Sequence, residues 1–184
     1  MSKAMVTGSS GFVGRRLIQK LIELNSTVSS VDDDYFLSAD WKRALLNILN
    51  SENPDVIFHV GACSNTLESD VQYMMTRNYE STKVIMDWCV KNNRKLIYSS
   101  SAANYGESGQ HPSNLYGWSK YAAEDYVTKS GGLALRYFNV YGPGEQDKGR
   151  MASFLFQAFV KSRNQELIEI FPGKPQRDFV YIND

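Results

Sequence analysis

The sequence predicts an α/β fold built on a doubly wound parallel sheet. Short apolar segments alternate with longer segments of helical periodicity along most of the 184 residues, a pattern typical of parallel strands joined by crossover helices. One short segment, "DVIFHVGA" at 55–62, is apolar almost throughout, as expected for a strand buried on both faces. A glycine-rich turn follows the first strand. The length suggests one domain.

Six strands are expected from apolar runs bounded by turn residues. They are residues 3–7, 27–32, 35–40, 55–62, 95–100 and 133–140. The segment 35–40 would be a short third strand. Right-handed crossovers should connect the strands.

Helices are expected between these strands. They cover the stretch from Val13 to Ile22 and residues 41–50, 70–91 and 115–130. The last of them should end at Gly131 and Gly132. After Gly142 the alternation changes, and a helix near 151–162 and a strand near 167–171 are expected.

Composition excludes several classes of function. The 20 basic and 20 acidic residues balance, and the absence of a basic run argues against nucleic acid or a membrane surface as partner. Cys63 and Cys89 are too few for a disulfide framework, and no spacing suggests a metal site. The N-terminus does not resemble a secretory signal, and no apolar stretch is long enough for a membrane span. We therefore expect a cytoplasmic protein without a metal.

The turn after the first strand, "TGSSGFVG", predicts a dinucleotide site. Gly8 can form a tight turn, Gly11 allows the main chain to approach a pyrophosphate, and Gly14 allows close packing of helix on strand. The helix N-terminus then faces the phosphates. The spacing differs from the usual G-x-G-x-x-G, but the turn lies between a strand and a helix, as the motif requires. The alternative is a tight turn with no ligand. A Rossmann-like sheet is therefore expected.

Asp32, at the end of the second strand, indicates the type of dinucleotide. A carboxylate at this place accepts hydrogen bonds from the adenosine ribose and repels a 2′-phosphate. Asp33 and Asp34 follow, and no Arg or Lys occurs before Lys42. We expect NAD to bind more tightly than NADP, with NADP as the alternative.

Hydroxyl and basic side chains then suggest chemistry. "SSSAANYG" follows the fifth expected strand, and strand ends face the ligand crevice in such sheets, so Ser101 is a candidate to bind a substrate oxygen. "YGWSK" places Tyr116 and Lys120 four residues apart on one helix face. Taken alone, the serines favour a solvent-exposed loop, and the Tyr–Lys spacing favours an aromatic ring packed beside the stem of a solvated lysine.

Four segments resemble one family. "TGSSGFVG", "SSSAANYG", "YGWSK" and "RYFNVYGP" occur in the order found in extended short-chain dehydrogenases/reductases, the NAD-dependent epimerase/dehydratase family. Within this family, "HVGACSNT", "YMMTRNY" and "RYFNVYGPGEQDKGRMAS" are similar to segments of ADP-glyceromanno-heptose 6-epimerases. The resemblance implies a nucleotide-sugar epimerase that acts by transient hydride transfer to a bound nicotinamide cofactor, with an ADP-heptose-like sugar as substrate.

The resemblance also implies roles for individual residues. The residues expected at the cofactor are Gly8, Gly11, Phe12, Val13, Gly14, Asp32, Gly61, Ala62, Cys63, Asn78, Tyr116, Lys120 and Val140. The catalytic residues are expected to be Ser101, Tyr116, Lys120 and Lys148, the last as a second acid/base. The residues expected at the substrate are Ser101, Asn139, Lys148 and Arg177.

A Tyr–Lys pair suits this reaction. A tyrosine with a pKa of about 10 is a poor base at neutral pH. A neighbouring ammonium and a positive nicotinamide favour the phenolate, so that Tyr116 could accept the substrate's hydroxyl proton while Ser101 holds the same oxygen.

Some features depart from the family pattern. The resemblance implies a chain that continues for roughly another domain. We therefore expect residues 1–142 to bind NAD(P) and 143–184 to form only part of the substrate-binding lobe, and we also weigh a dinucleotide-binding module without turnover.

Arg150 stands where the heptose epimerases have a small residue. A 4,6-dehydratase is the nearer alternative, although Ala102 and Ala103 occupy the place of its acidic residue. A nucleotide-diphosphate sugar is the expected partner, and a homo-oligomer is left open.

Overall fold

The computed structural model describes residues 3–107, 109–170, 172–173 and 176–184. The chain forms two compact units, Met1–Arg136 and Tyr137–Asp184. The predicted functional division at residue 142 stays a prediction.

The first unit contains a parallel sheet of five strands, which confirms the predicted fold class. The strands are β1 (Lys3–Thr7), β2 (Thr27–Val31), β3 (Val56–His59), β4 (Lys95–Ser101) and β5 (Leu133–Tyr137). Their order across the sheet is β2-β1-β3-β4-β5. Thr7 is level with Val31 on one side and with His59 on the other, so that β1, β2 and β3 end at the same edge.

Helices connect these strands. They are α1 (Phe12–Glu23), α2 (Trp41–Glu52), α3 (Val71–Met75), α4 (Ser81–Lys91) and α5 (Leu115–Lys129). A π-helical turn, Thr76–Glu80, joins α3 directly to α4, so the expected helix over 70–91 is present as one continuous stretch. Asp40 and Asn114 begin α2 and α5 by accepting hydrogen bonds from backbone N–H groups of the first turn.

The prediction of a strand at 35–40 is wrong. This part of the chain contains a 3-10 helix, Asp33–Leu37. A parallel neighbour of β2 would need a crossover of about a dozen residues or more, and only three residues separate Val31 from Tyr35. Tyr35 is instead buried, and its ring centroid lies 4.4 Å from that of Phe36. The sheet therefore has five strands where six were expected.

The end of the chain also differs from the expectation. The apolar run 133–140 does not form one strand, because β5 ends at Tyr137 and β6 (Asn139–Tyr141) lies in the second unit. There β6 pairs in parallel with β7 (Phe179–Tyr181), a strand that the sequence did not reveal. The second unit also contains α6 (Phe154–Arg163). Residues 167–170, where a strand was expected, pair with no strand, and Phe171 lies outside the described residues.

The core of the first unit lies between the sheet and the helices α2, α4 and α5. Its buried side chains are Met5, Val31, Tyr35, Leu45, Leu49, Ile57, Ile85, Met86, Trp88, Cys89, Leu96, Tyr98, Ala123 and Val127. Trp88 also donates its indole N–H to the Asn50 side chain at 2.8 Å. The α-helical spacing that predicted these helices thus corresponds to the stripe each buries against the sheet.

Over the part of the chain that the structure describes, none of the helices combines the length and the apolar character required to cross a membrane.

Two neighbouring leucines of α2 test this packing. Leu45 is fully buried, whereas Leu46 is 37% exposed. Leu45→Ala leaves a cavity in the core and should lower the free energy of unfolding by about 2–5 kcal/mol. Leu46→Ala should cost less than about 1 kcal/mol. Chemical denaturation of both variants measures the difference, and equal losses would show that α2 does not pack as described.

Candidate active site

The main chain approaches itself closely at the point where the strand order reverses. The chain passes from β1 to β2 on one side and returns to β3 on the other, which opens a crevice at the carboxyl ends of β1 and β3. Gly8 follows β1 and has a φ of 65°, a conformation that favours glycine. A Cβ atom on Gly8 would lie 2.6 Å from Cα of Gly61. Only glycine allows these two loops to meet.

The first turn of α1 is equally restricted. A Cβ atom on Gly14 would lie 2.0 Å from the carbonyl oxygen of Gly8, so that the helix packs directly on the turn. Gly11 begins the helix and has no side chain with which to cap it. Phe12 and Val13 follow, half-buried. A helix N-terminus presents backbone N–H groups and the positive end of the helix dipole, a combination that suits an anion.

Asp32 lies beside this turn. Its carboxylate accepts hydrogen bonds from the Ser9 hydroxyl at 2.9 Å and from the backbone N–H of Ser10 at 3.0 Å. Burial acts to raise the pKa of Asp32, but these hydrogen bonds outweigh it, and the net pKa lies below the ordinary value. The carboxylate is therefore ionised at neutral pH and fixed against the glycine turn.

A buried histidine connects the loops behind the turn. Thr82 donates its hydroxyl to the Asn78 carbonyl at 2.7 Å, so its oxygen accepts from Nε2 of His59 at 2.9 Å. Nδ1 of His59 then accepts from the Thr7 hydroxyl at 2.6 Å, and Thr7 accepts from the N–H of Gly61 at 3.1 Å. Burial lowers the pKa of His59 to about 3. This neutral histidine positions main chain rather than performing chemistry.

Asn78 fixes the loop after β3. Its side-chain oxygen accepts from the N–H of Cys63 at 2.7 Å, and its amide nitrogen donates to the Cys63 carbonyl at 3.1 Å. The same nitrogen lies 2.9 Å from the Ser119 hydroxyl on α5. Asn78 is 1% exposed and occupies the π-helical turn, a feature frequent at functional sites. Ala62 in the same loop is exposed.

The structure brings Ser101 and Tyr116 together. Ser101 ends β4 and its side chain accepts from the N–H of Ala103 at 3.1 Å. Its side chain interacts with the Tyr116 phenol. Burial raises the pKa of Tyr116 and outweighs the lowering effect of Ser101. Without a bound ligand, Tyr116 therefore remains protonated at neutral pH.

Lys120 lies one helical turn beyond Tyr116 and is 3% exposed. Its ammonium nitrogen is 4.3 Å from the centre of the Tyr98 ring. Burial lowers the pKa of Lys120 to about 7, although the negative charge of Glu124 acts in the opposite direction. A buried lysine with a perturbed pKa marks a candidate functional group.

The remaining predicted site residues belong to the second unit. Asn139 donates from its side chain to the Asp178 carbonyl at 2.9 Å, and Val140 pairs with Val180. Arg177 is exposed. Lys148 lies 3.6 Å from a carboxylate oxygen of Glu145.

Glu145, which the sequence did not single out, is fully buried in this unit. It accepts hydrogen bonds from the backbone N–H and the hydroxyl of Ser153, the latter at 3.0 Å. Glu145 belongs to no sequence motif, so only its burial in the folded chain marks it as unusual. Glu124 was missed too, although its spacing of four residues from Lys120 was a visible signal.

Comparison with known proteins identifies the class and then the family. The doubly wound parallel sheet with its glycine turn matches the Rossmann-like fold of solved epimerases. The model of the NAD dependent epimerase/dehydratase family matches residues 4–184, and the chain belongs to that family. This confirms the resemblance seen in the sequence.

Three relatives are informative. The ADP-L-glycero-D-manno-heptose-6-epimerase of Brachyspira hyodysenteriae is 36% identical over 98% of this chain and 68% of its own length. The structure of the Helicobacter pylori enzyme of the same name matches with a TM-score of 0.86 and 26% identity, over 99% of this chain and 70% of that one. The UDP-glucose 4-epimerase of Thermotoga maritima, solved with UDP-glucose, matches with a TM-score of 0.85 and 25% identity, over 98% and 70%.

The burial of Lys120 generates a prediction in which stability and binding change in opposite directions. The unfolded chain holds the lysine proton with a pKa of about 10.4, whereas the folded protein holds it with a pKa of about 7. The buried lysine therefore lowers the free energy of unfolding by its full amount below pH 7. This loss of stability decreases as the pH rises from about 7 towards 10. Lys120→Met should raise the melting temperature of the cofactor-free protein at pH 6 and weaken NAD binding at least tenfold.

Lys129→Met is the matched control, since Lys129 lies on the same helix with an exposed side chain. It should leave both NAD affinity and the melting temperature nearly unchanged. Thermal melts across pH 6–10 and NAD titrations supply the two measurements. A Lys120→Met variant that melts at a lower temperature at pH 6 would contradict the burial cost.

Proposed function

We propose that the protein is a nucleotide-sugar epimerase that uses NAD. The observation that carries the proposal is the burial of Lys120 one helical turn beyond Tyr116 on α5, with the Ser101 side chain interacting with the Tyr116 phenol. Relatives with epimerase names support the same function.

The residues present fit a dinucleotide. The turn at Gly8, Gly11 and Gly14 leaves main chain where a Cβ atom would collide, and the α1 N-terminus can take the pyrophosphate. The ionised carboxylate of Asp32 suits ribose hydroxyls and disfavours an added phosphate. NAD is therefore the proposed cofactor, and Lys120 is proposed to hold its nicotinamide ribose.

The proposed proton chemistry uses Tyr116. The bound nicotinamide supplies reversible acceptance of a hydride. Lys120, together with the positive ring once it is bound, would favour the phenolate and so offset the effect of burial on Tyr116. Tyr116 then accepts the proton of the substrate hydroxyl, while Ser101 donates a hydrogen bond to the same oxygen.

Inversion requires a proton route on the opposite side of the sugar, and Lys148 is proposed for it. Its pairing with Glu145 supports a defined position for this lysine within the second unit. Asn139 and Arg177 are proposed to contact the sugar and the diphosphate.

The proposed substrate is an ADP-linked heptose. The 36% identity to a heptose epimerase supports this sugar. UDP-glucose is the second candidate, because it is bound by the structural relative from Thermotoga maritima. Ala102 and Ala103, which replace the acidic residue of a dehydratase, disfavour dehydration.

Turnover by the wild-type protein and by Tyr116→Phe tests the proposal. The protein with NAD should invert C6 of ADP-L-glycero-D-manno-heptose, which NMR of the sugar detects. Tyr116→Phe removes the acid/base group but keeps the ring, so turnover should fall at least about 100-fold while NAD affinity changes less than threefold.

Each other outcome identifies an alternative. A deoxy-keto product would indicate a dehydratase, and inversion of UDP-glucose alone would change the substrate. NAD binding without turnover of either sugar would indicate a binding module. Near-normal turnover by Tyr116→Phe would show that the proton passes through another group.

A further inference from the structure

The carboxylate of Glu124 joins the two elements that carry Ser101 and Tyr116. It accepts hydrogen bonds from the Ser100 hydroxyl and, at 2.8 Å, from the Asn104 side chain. Asn104 also donates to the Ser100 hydroxyl at 3.0 Å. The strand end, the 3-10 turn Ala102–Tyr105 and helix α5 therefore meet at one carboxylate.

These contacts bracket Ser101. Ser100 precedes it and Asn104 follows three residues later, and both are at least 97% buried. Ser101 begins the 3-10 turn with its own side chain. A shift of either neighbour would move the Ser101 hydroxyl relative to the phenol that it contacts.

Glu124 lies on the same face of α5 as the other members of the site. Tyr116, Lys120 and Glu124 are spaced by four residues, so each lies one turn beyond the last. The same carboxylate thus links the helix that carries Tyr116 to the turn that begins at Ser101.

Arg136 on β5 forms an ion pair with Glu124. Its Nε lies 3.0 Å from both carboxylate oxygens, and its Nη2 lies 2.6 Å from Oε1. Burial raises the pKa of Glu124, but the bonds from Arg136, Ser100 and Asn104 outweigh it and keep the group ionised. The Arg136 guanidinium also lies 4.5 Å from the centre of the Tyr105 ring. The network is therefore anchored on a second strand.

We propose that Glu124 is a positioning residue that fixes Ser101 against Tyr116, and that its effect on the reaction passes through Ser101. The expected effect on kcat rests on the proposed function. The expected effect of Glu124 on the position of Ser101 does not depend on the substrate. Glu124 is not itself proposed to touch the sugar or the cofactor.

Glu124→Gln keeps the size of the side chain and removes the charge that orders four donors. Its kcat should fall at least tenfold, with KM for the nucleotide sugar changed less than threefold, while the affinity for NAD reports separately on Lys120, whose pKa the charge of Glu124 acts to raise against burial. Asp125→Asn is the matched control, because Asp125 is the next residue, is exposed and pairs only with Lys129 among the ion pairs found in the described chain. It should leave all three constants unchanged.

A double-variant cycle separates positioning from general damage. In a Ser101→Ala background, Glu124→Gln should lower kcat less than twofold further, because the group it positions is already absent. A further tenfold loss there would overturn the proposal. Asn104→Ala, a milder change, should show a smaller loss of the same kind if Glu124→Gln folds poorly.

A crystal structure of Glu124→Gln decides the geometric content even if the protein proves to turn over no nucleotide sugar. The distance between the Ser101 hydroxyl and the Tyr116 phenol should be longer in this variant than in the wild type and unchanged in Asp125→Asn. An unchanged distance in Glu124→Gln would refute the positioning role. Wild-type inactivity with a longer distance in the variant would refute only the proposed function.

Discussion

The close approach of main chain at Gly8 is the constraint on which the rest of the first unit depends. The carbonyl of Gly8 lies where a side chain on Gly14 would be, and the Cα of Gly61 lies where a side chain on Gly8 would be. The first strand, the first helix and the loop after the third strand consequently converge without intervening side chains. Hydrogen bonds that Asp32 accepts, and those along the Thr7–His59–Thr82 chain, then hold the convergent loops in place.

The second determinant is the burial of charge next to this crevice. Lys120 is almost completely enclosed, and the cost appears as a pKa of about 7. A structural role alone would be served better by an apolar side chain of similar volume. Stability given up at a buried, titratable group is typical of a functional site. Burial also favours the neutral form of the neighbouring tyrosine, whose pKa it raises. The positive nicotinamide ring of a bound NAD would favour the phenolate of Tyr116 and so oppose that effect.

How far the sequence predicts this arrangement depends on the range of the interactions. The glycine turn, the strand of residues 56–59 and the helix that carries "YGWSK" follow from local patterns, and all are present. The strand wrongly expected at 35–40 is different, since the short connection from β2 already argues against it in the sequence. The pairing of β6 with β7 could not be predicted, because it depends on which chain segments are near in space. The same holds within the site. Motifs located Ser101 and Tyr116. The hydrogen bonds of Glu124 with Ser100, Asn104 and Arg136, and those of Asn78 with Cys63, connect residues far apart in sequence.

Calorimetric titration of NAD into the wild-type protein, Gly14→Ala and Gly131→Ala tests the central claim most directly, that the crevice exists because only glycine fits there. Alanine at position 14 should gain up to about 1 kcal/mol of helix propensity, yet its methyl group would lie 2.0 Å from the Gly8 carbonyl. We expect Gly14→Ala to bind NAD at least tenfold more weakly while its circular dichroism remains that of a folded protein. Gly131→Ala, where the added carbon meets no atom within 4 Å but φ is 89°, controls for backbone strain and should bind within threefold of the wild type. Wild-type affinity in Gly14→Ala would contradict the claim.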